Sequence, residues 1–192
     1  VSLYWDGVWL TEDVGTFSYR GGPAEDFGSA VHHNVVTQAG RGPMHKAGRF
    51  LWLPWVPCIR QSEPLGFCAS LRDLAGATWT RRVLRLPQGF VVVDQVHASA
   101  AADGCELRWH GRTRAGLERL SVVCSESSAE TWISADTQTG QGFFAPRYGR
   151  REPSWTRRLT AAGRTVTFVT ALGCAIDLRP DAVWVDGLPY PL

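Results

Sequence analysis

Hydrophobic and polar positions alternate along most of this chain in short runs, with a period of two. In residues 106–110, apolar side chains alternate with charged and imidazole side chains, which is typical of a half-buried strand. Residues 80–86 and 90–96 flank a Pro-Gln-Gly turn and predict a β-hairpin. Asp94 follows three valines, and we expect it to pair with an arginine or a turn amide. Helical periodicity is weak, although residues 70–74 are compatible with one helical turn.

Further strand signals follow at short spacing, separated by turns that contain glycine or proline. They cover residues 120–124, 130–134, 142–145, 155–159, 165–171 and 182–185. About ten such strands predict an all-β fold, an antiparallel β-sandwich that occupies residues 1–192 as a single domain.

The chain opens with a hairpin signal, because Asp6-Gly7 separates two short apolar runs. A sequence that starts at Val1 inside a hairpin is expected to be a fragment or an excised domain of a longer protein.

Composition narrows the class of protein. A hydrophobic fraction of 44% and a charged fraction of 20% are those of a folded domain, and a net charge of +2 gives no support for nucleic-acid binding. Apolar runs are too short to cross a membrane.

The basic residues are almost all arginines, and Lys46 is the sole lysine. Genomic base composition explains this bias, but arginine forks also suit carboxylate or sulfate ligands.

Cysteines and tryptophans leave alternatives open. The 5 cysteines form no CxxC pair, so buried thiols are expected, although Cys58 and Cys68 could form a disulfide across a loop. Most of the 9 tryptophans are expected in the core. An exposed pair such as Trp52 and Trp55 would instead suit a glycan cleft.

The first fifty residues hold the candidate chemistry: Asp13 and Tyr19, then His32, His33 and Asn34 inside the apolar stretch A-V-H-H-N-V-V. We predict a strand over residues 29–37 after a loop over residues 20–28. Neighbouring side chains of a strand point to opposite faces, so only one of the two histidines can face a site. Each residue also has a purely structural interpretation, as a turn acid, packed aromatic, core imidazole or backbone partner.

Four motifs in order resemble the β-sandwich domain of the heparinase II/III-type polysaccharide lyases. They are D-V-G-T-F-S-Y followed by A-V-H-H-N-V-V and G-R-F-L-W, the segment W-T-R-R-V-L-R-L-P-Q-G-F-V-V-V-D-Q-V, and F-F-A-P-R-Y-G. The resemblance covers nearly the whole chain. It implies β-elimination on an anionic, uronic-acid-containing polysaccharide, with a missing N-terminal α-helical domain of the same polypeptide as partner and a periplasmic or secreted location.

The resemblance also implies roles for individual residues. His33 and Asn34 match the H-N of the family, Asp13 its acid before G-T, and Tyr19 its tyrosine. His33, Tyr19 and Asn34 are thereby predicted to be catalytic. Some members hold zinc through an aspartate and histidines, so Asp13 and His33 are predicted metal ligands, with His45 or His97 as candidates for a further ligand.

The sequence departs from the family pattern in several places. Residues 25–30 replace an arginine-rich segment, His32 stands where a small residue is usual, and Val35 replaces a threonine. Two alternatives to the lyase therefore stay open, a non-catalytic glycan-binding or packing module and an inactive fragment. For the lyase as for both alternatives, we expect the isolated 192 residues to be inactive.

Overall fold

The structure, a computed structural model, describes residues 1–19, 22, 24–48, 50–98 and 104–192. Strands dominate, and their pairings are antiparallel. In chain order the strands are β1 (Leu3–Trp5), β2 (Val8–Thr11), β3 (Val36–Gln38), β4 (His45–Lys46), β5 (Trp52–Leu53), β6 (Cys58–Glu63), β7 (Gly66–Arg72), β8 (Thr78–Leu86), β9 (Gly89–His97), β10 (Cys105–Gly111), β11 (Ser121–Cys124), β12 (Ser128–Ser134), β13 (Phe143–Arg147), β14 (Arg150–Pro153), β15 (Trp155–Ala161), β16 (Thr165–Leu172), β17 (Ile176–Leu178), β18 (Ala182–Val185) and β19 (Leu188–Pro191). Two short helical elements accompany them, a 3-10 turn at Ala30–His32 and α1 at Arg114–Glu118. The predicted all-β antiparallel fold is confirmed.

Two sheets form the sandwich, with strand orders β11-β16-β9-β8-β7-β6 and β12-β15-β10-β3. Alternate side chains of each sheet point inward, so Leu107 and Trp109 of β10 share one core with Val166 and Phe168 of β16. Trp109 Nε1 donates a hydrogen bond to Thr170 Oγ1 across this core at 2.9 Å. The buried indole therefore keeps a polar partner, and the two sheets are joined at that point.

The central strands of the larger sheet are buried on both faces. Val92 of β9 lies in the core between the sheets. Its neighbours Val91 and Val93 pack on the other face against Val183 and Val185, which belong to a third sheet, β17-β18-β19. This double burial explains why residues 90–93 of β9 form a continuous apolar run.

Both predicted hairpins are confirmed. The turn between β1 and β2 is Asp6-Gly7, with φ angles of 51° and 74°, and β8 pairs with β9 along its whole length. Arg81 and Asp94 lie opposite each other in that pairing. Two hydrogen bonds of 2.6 and 2.9 Å join them, so Asp94 has the arginine partner that the sequence predicted.

Two predicted elements are wrong. Residues 70–74 are no helical turn, because β7 runs to Arg72 and pairs on both sides within the sheet. Residues 29–37 are no continuous strand, because the 3-10 turn, closed by a 3.1 Å hydrogen bond from His33 N to Ala30 O, precedes a short β3. β-branched residues favour strands, but that preference is weak and depends on the tertiary environment.

The helix α1 was not predicted, since five residues are too few to show a period. Thr113 Oγ1 caps it by accepting a hydrogen bond from Gly116 N at 3.1 Å. Of the predicted loop over residues 20–28, Arg20, Gly21 and Pro23 lie outside the described residues.

The cysteines are free. Cys58 lies opposite Leu71 and Cys68 opposite Gln61, so the alternative disulfide does not form. All five cysteines are described, and Cys105 is the one that is fully buried, whereas Cys58 is exposed. The expectation of buried thiols therefore holds only in part.

No helix within the described ranges has the length and apolar character needed to cross a membrane.

Candidate functional site

A carboxylate–imidazole pair joins the two segments singled out by the sequence. Asp13 Oδ2 lies 2.7 Å from His33 Nδ1, and Asp13 Oδ1 accepts a hydrogen bond from Gly15 N at 3.0 Å. A hydrogen bond of 2.9 Å from Glu12 N to His110 O anchors the Asp13 segment to β10. The Asp13 and His33 side chains are 54% and 35% exposed, so the pair is both held in place and open to solvent.

In this pair Asp13 is the hydrogen-bond acceptor and His33 is the donor. The hydrogen bond with His33 lowers the pKa of Asp13, the Gly15 amide adds to this, and partial burial opposes it. Asp13 is therefore ionised at neutral pH and accepts the Nδ1–H of His33. This fixes the ring orientation and leaves His33 Nε2, which has no hydrogen-bond partner in the described part of the chain, as the atom that can meet a ligand.

His32 faces the opposite way. Its side chain is 1% exposed and its ring stacks on Phe27 at a centroid distance of 4.9 Å. Neither ring nitrogen has a hydrogen-bond partner among the described residues, and burial lowers the pKa of His32 to about 4. Only His33 of the two histidines reaches a site, although the 3-10 turn, and not strand alternation, separates them.

Asn34 is buried behind the pair. Its Nδ2 donates to Val1 O at 2.8 Å and to Glu12 O at 3.3 Å, and its Oδ1 accepts from His110 N at 2.6 Å. The side chain is occupied by main-chain partners and 1% of the residue is exposed. This geometry supports a positioning role for Asn34 in place of direct contact with a substrate.

Tyr19 lies in an exposed aromatic cluster, which we define as Tyr19, Phe50 and Tyr148. Its ring centroid is 4.8 Å from that of Phe50 and 5.6 Å from that of Tyr148. No hydrogen bond joins Tyr19 to Asp13 or His33 within the described residues. The structure thus brings Asp13 and His33 into contact and places Tyr19 outside that pair.

A cleft of about 410 Å³ opens beside His33. Its walls are mainly apolar and come from the 28–44 segment, β5 and strands β7 to β9; they include Val35, Trp52, Trp79 and Val96. Two tryptophans were considered for a glycan cleft. Trp52 lines this space, whereas Trp55 lies outside it and is 80% exposed. A mainly apolar cleft with a few polar groups at one side is the usual form of a ligand site.

Arg81 and Asp94 supply the charged part of the cleft wall. Beyond its ion pair with Asp94, Arg81 Nη1 donates to Asn34 O at 2.6 Å. This hydrogen bond ties the larger sheet to the residue that follows His33. The sequence predicted the partner of Asp94 but gave no sign of the contact with Asn34, since neither residue is near the other along the chain.

Two donors are too few for zinc. Asp13 and His33 would fill two positions of a site that needs at least three protein ligands. No group of three metal-binding side chains converges in the described part of the chain. His45 lies exposed in β4, and His97 is bound to Thr165 Oγ1 at 3.0 Å. The residues present do not by themselves fit a zinc ion.

Comparisons with known proteins agree with the fold. Solved structures similar to the chain include a heparinase III (the BT4657 gene product), with a TM-score of 0.66 and 15% identity, and the heparan sulfate lyase HepC from Pedobacter heparinus, with a TM-score of 0.61 and 12% identity. Each match covers 100% of this chain but only 36% and 35% of those proteins. No match was found among curated proteins.

A family model supplies the assignment that such low identities cannot. The model described as heparinase II/III-like, C-terminal, matches residues 1–179, which include the Asp13–His33 pair and the aromatic cluster. The chain therefore belongs to the heparinase II/III-like family and corresponds to its C-terminal domain.

Proposed function

We propose that this domain forms one wall of the active cleft of a polysaccharide lyase that acts on uronic-acid-containing polymers. The observation that carries the proposal is the 2.7 Å contact between Asp13 and His33 at the edge of the cleft. Family membership and the likeness to a heparan sulfate lyase support this class of substrate.

The chemistry is β-elimination. A base removes the proton from C5 of the uronic acid, the C4–O4 bond breaks as a C4=C5 double bond forms, and O4 takes up a proton. Negative charge accumulates on the carboxylate side of the sugar in the transition state and has to be stabilised. His33, oriented through Nδ1 by Asp13, would place its imidazole against that carboxylate. Tyr19 would act as acid or base, and Asn34 would hold His33 in position.

The remainder of the cleft would come from elsewhere in a longer polypeptide. The solved relatives are nearly three times as long as the matched region. We propose that an N-terminal α-helical domain completes the site, that the isolated domain is inactive, and that the protein works in the periplasm or outside the cell, where such polymers occur.

The test is a lyase assay on the full gene product that contains these residues. Incubation with uronic-acid polymers should generate an ultraviolet-absorbing unsaturated end. His33→Ala should lower that rate by about 100-fold or more, the usual effect of losing one group that stabilises charge in the transition state. His97→Ala removes an exposed imidazole that binds Thr165 and should leave the rate unchanged. Equal rates for wild type and His33→Ala would contradict the assignment of His33 to the active site.

A non-catalytic glycan-binding module is the second candidate. It is favoured by the buried side chain of Asn34 and by the separation of Tyr19 from the Asp13–His33 pair. This candidate predicts binding of the polymer without any unsaturated product.

A zinc role through Asp13 and His33 would require a further ligand from outside the described residues, and elemental analysis of the purified full gene product tests it.

A further inference from the structure

The hairpin formed by β13 and β14 places Tyr148, which directly follows Arg147 in the chain, next to Tyr19. Its two-residue turn is Tyr148-Gly149, with Gly149 at a φ of 75°. The Tyr148 ring is 57% exposed and lies 5.6 Å from that of Tyr19. Phe50, 71% exposed, also contacts Tyr19, at 4.8 Å. Three large aromatic rings are thus gathered on one solvent-facing surface.

The tip of this hairpin carries a positive charge without an internal counterion. Arg147 lies directly opposite Arg150, an arrangement of like charges that is unfavourable across a strand pair. Arg150 is paired with Glu152 at 2.6 Å, and Arg151 lies over the Phe143 ring at 4.4 Å. Arg147 is exposed and makes no ion pair with any described residue, so it is available to an external anion.

The hairpin is fixed to the segment that holds Asp13. Gly149 N donates to Phe17 O at 2.8 Å, and Ala145 N donates to Val14 O at 2.7 Å. Two main-chain hydrogen bonds therefore set the position of the hairpin tip relative to the residues between Asp13 and Tyr19. A ligand held at the tip would lie in a defined place with respect to the site.

We propose that Arg147 and Tyr148, together with Phe50, form a subsite beside Tyr19 for one anionic sugar residue of the polymer. The apolar face of the sugar ring packs on the exposed aromatic rings, and the Arg147 guanidinium holds its sulfate or carboxylate in the planar, two-point geometry that suits arginine. The proposal rests on the proposed function and adds to it a binding position outside the Asp13–His33 pair.

Calorimetric binding to the full gene product tests the subsite. The probes are a sulfated uronic-acid tetrasaccharide, its unsulfated counterpart and a neutral glucose tetrasaccharide. All binding is measured in the His33→Ala background, in which turnover is expected to be slow. Arg147→Ala and Tyr148→Ala should each weaken binding of the charged probes by about tenfold, the loss of one charged contact or one stacked ring. Arg147→Lys should recover part of the affinity, and Tyr148→Phe nearly all of it.

Arg164→Ala is the matched control. Arg164 is exposed and follows β15 at the end of that strand farther from the hairpin. Its loss should leave affinity unchanged.

A tenfold loss on the sulfated probe alone assigns Arg147 to sulfate, and a loss on both charged probes assigns it to carboxylate. Unchanged affinity in Arg147→Ala and Tyr148→Ala, while wild type binds and cleaves polymer, would overturn the subsite but not the proposed function. Absence of both binding and cleavage in wild type would overturn both.

Discussion

Asn34 shows how a single polar residue can organise this site. It is buried, yet its amide serves two carbonyl oxygens and its oxygen serves one main-chain N–H. These partners belong to the chain start, to the residue before Asp13 and to β10. One side chain thus joins three segments directly behind His33.

Asn34→Ala is expected to destabilise the fold by about 2 to 3 kcal/mol, because it leaves buried main-chain groups without partners. Asn34→Asp should be at least as harmful, since a carboxylate oxygen would then face the carbonyl oxygens of Val1 and Glu12. Urea unfolding measures both free energies. A loss below about 0.5 kcal/mol in both variants would contradict the positioning role.

His32 and His110 are the buried histidines of this region. Within the described ranges, neither ring nitrogen of His32 has a partner, and His110 Nε2 also lacks one. Burial lowers the pKa of His32 to about 4 and that of His110 to about 3. Both are neutral in the folded protein at pH values where an unfolded chain, with a histidine pKa of 6.5, binds protons.

The free energy of unfolding should therefore fall as the pH drops below 6.5. Each histidine that gains a proton only on unfolding contributes about 1.4 kcal/mol per pH unit, and the loss ends near the folded pKa values of about 4 and 3. His32→Phe keeps the packing on Phe27 and should reduce this pH dependence to the part contributed by His110. Urea unfolding at pH 7 and pH 5 tests it.

Phe27→Leu is the companion variant, because it weakens the same contact without removing the imidazole. It should lower stability at both pH values and retain the slope of the wild type. An unchanged slope in His32→Phe would contradict the burial of a neutral His32.

At the scale of elements, the site depends on a close approach between the Asp13 segment and β13. Gly15 has a φ of 76° and forms an isolated bridge with Ala145. A Cβ at this position would lie 2.4 Å from Ala145 O. Glycine is required here both for the left-handed backbone and for the contact with β13.

Gly15→Ala should destabilise the fold by more than about 1 kcal/mol, the order of a left-handed substitution alone. Gly7→Ala gives the comparison, because Gly7 has a similar φ of 74° but a Cβ added there would have no described atom within 4 Å. The difference between the two melting temperatures isolates the close approach. Equal losses would show that Ala145 imposes no constraint.

Elements with local signals could be predicted, and those set by distant packing could not. The β8–β9 hairpin was predicted because a Pro-Gln-Gly turn separates two β-rich runs. The segment containing His32 also has β-branched residues, but it turns at Ala30–His32 and its His32 ring stacks on Phe27, a contact between residues that no local pattern marks. Likewise, the sequence named Asp13 and His33 through their motifs, whereas their hydrogen bond depends on tertiary structure.

At the scale of the whole molecule, the cleft lies where both sheets contribute. The bond from Arg81 on β8 to Asn34 O, with Asp94 holding the same guanidinium, connects the larger sheet to the segment before β3. No sequence pattern indicated this connection. The position of His33 therefore depends on contacts with the larger sheet as well as on its own segment.

We propose that Asp13 and His33 act as one unit in lyase chemistry. A double-mutant cycle on the full gene product tests it most directly, by measuring the rate of unsaturated-product formation for Asp13→Asn, His33→Ala and the double variant. We predict that Asp13→Asn lowers the rate and that adding it to His33→Ala has no further effect, because Asp13 acts through His33. Multiplicative losses in the double variant, or a wild-type rate in Asp13→Asn, would contradict the account.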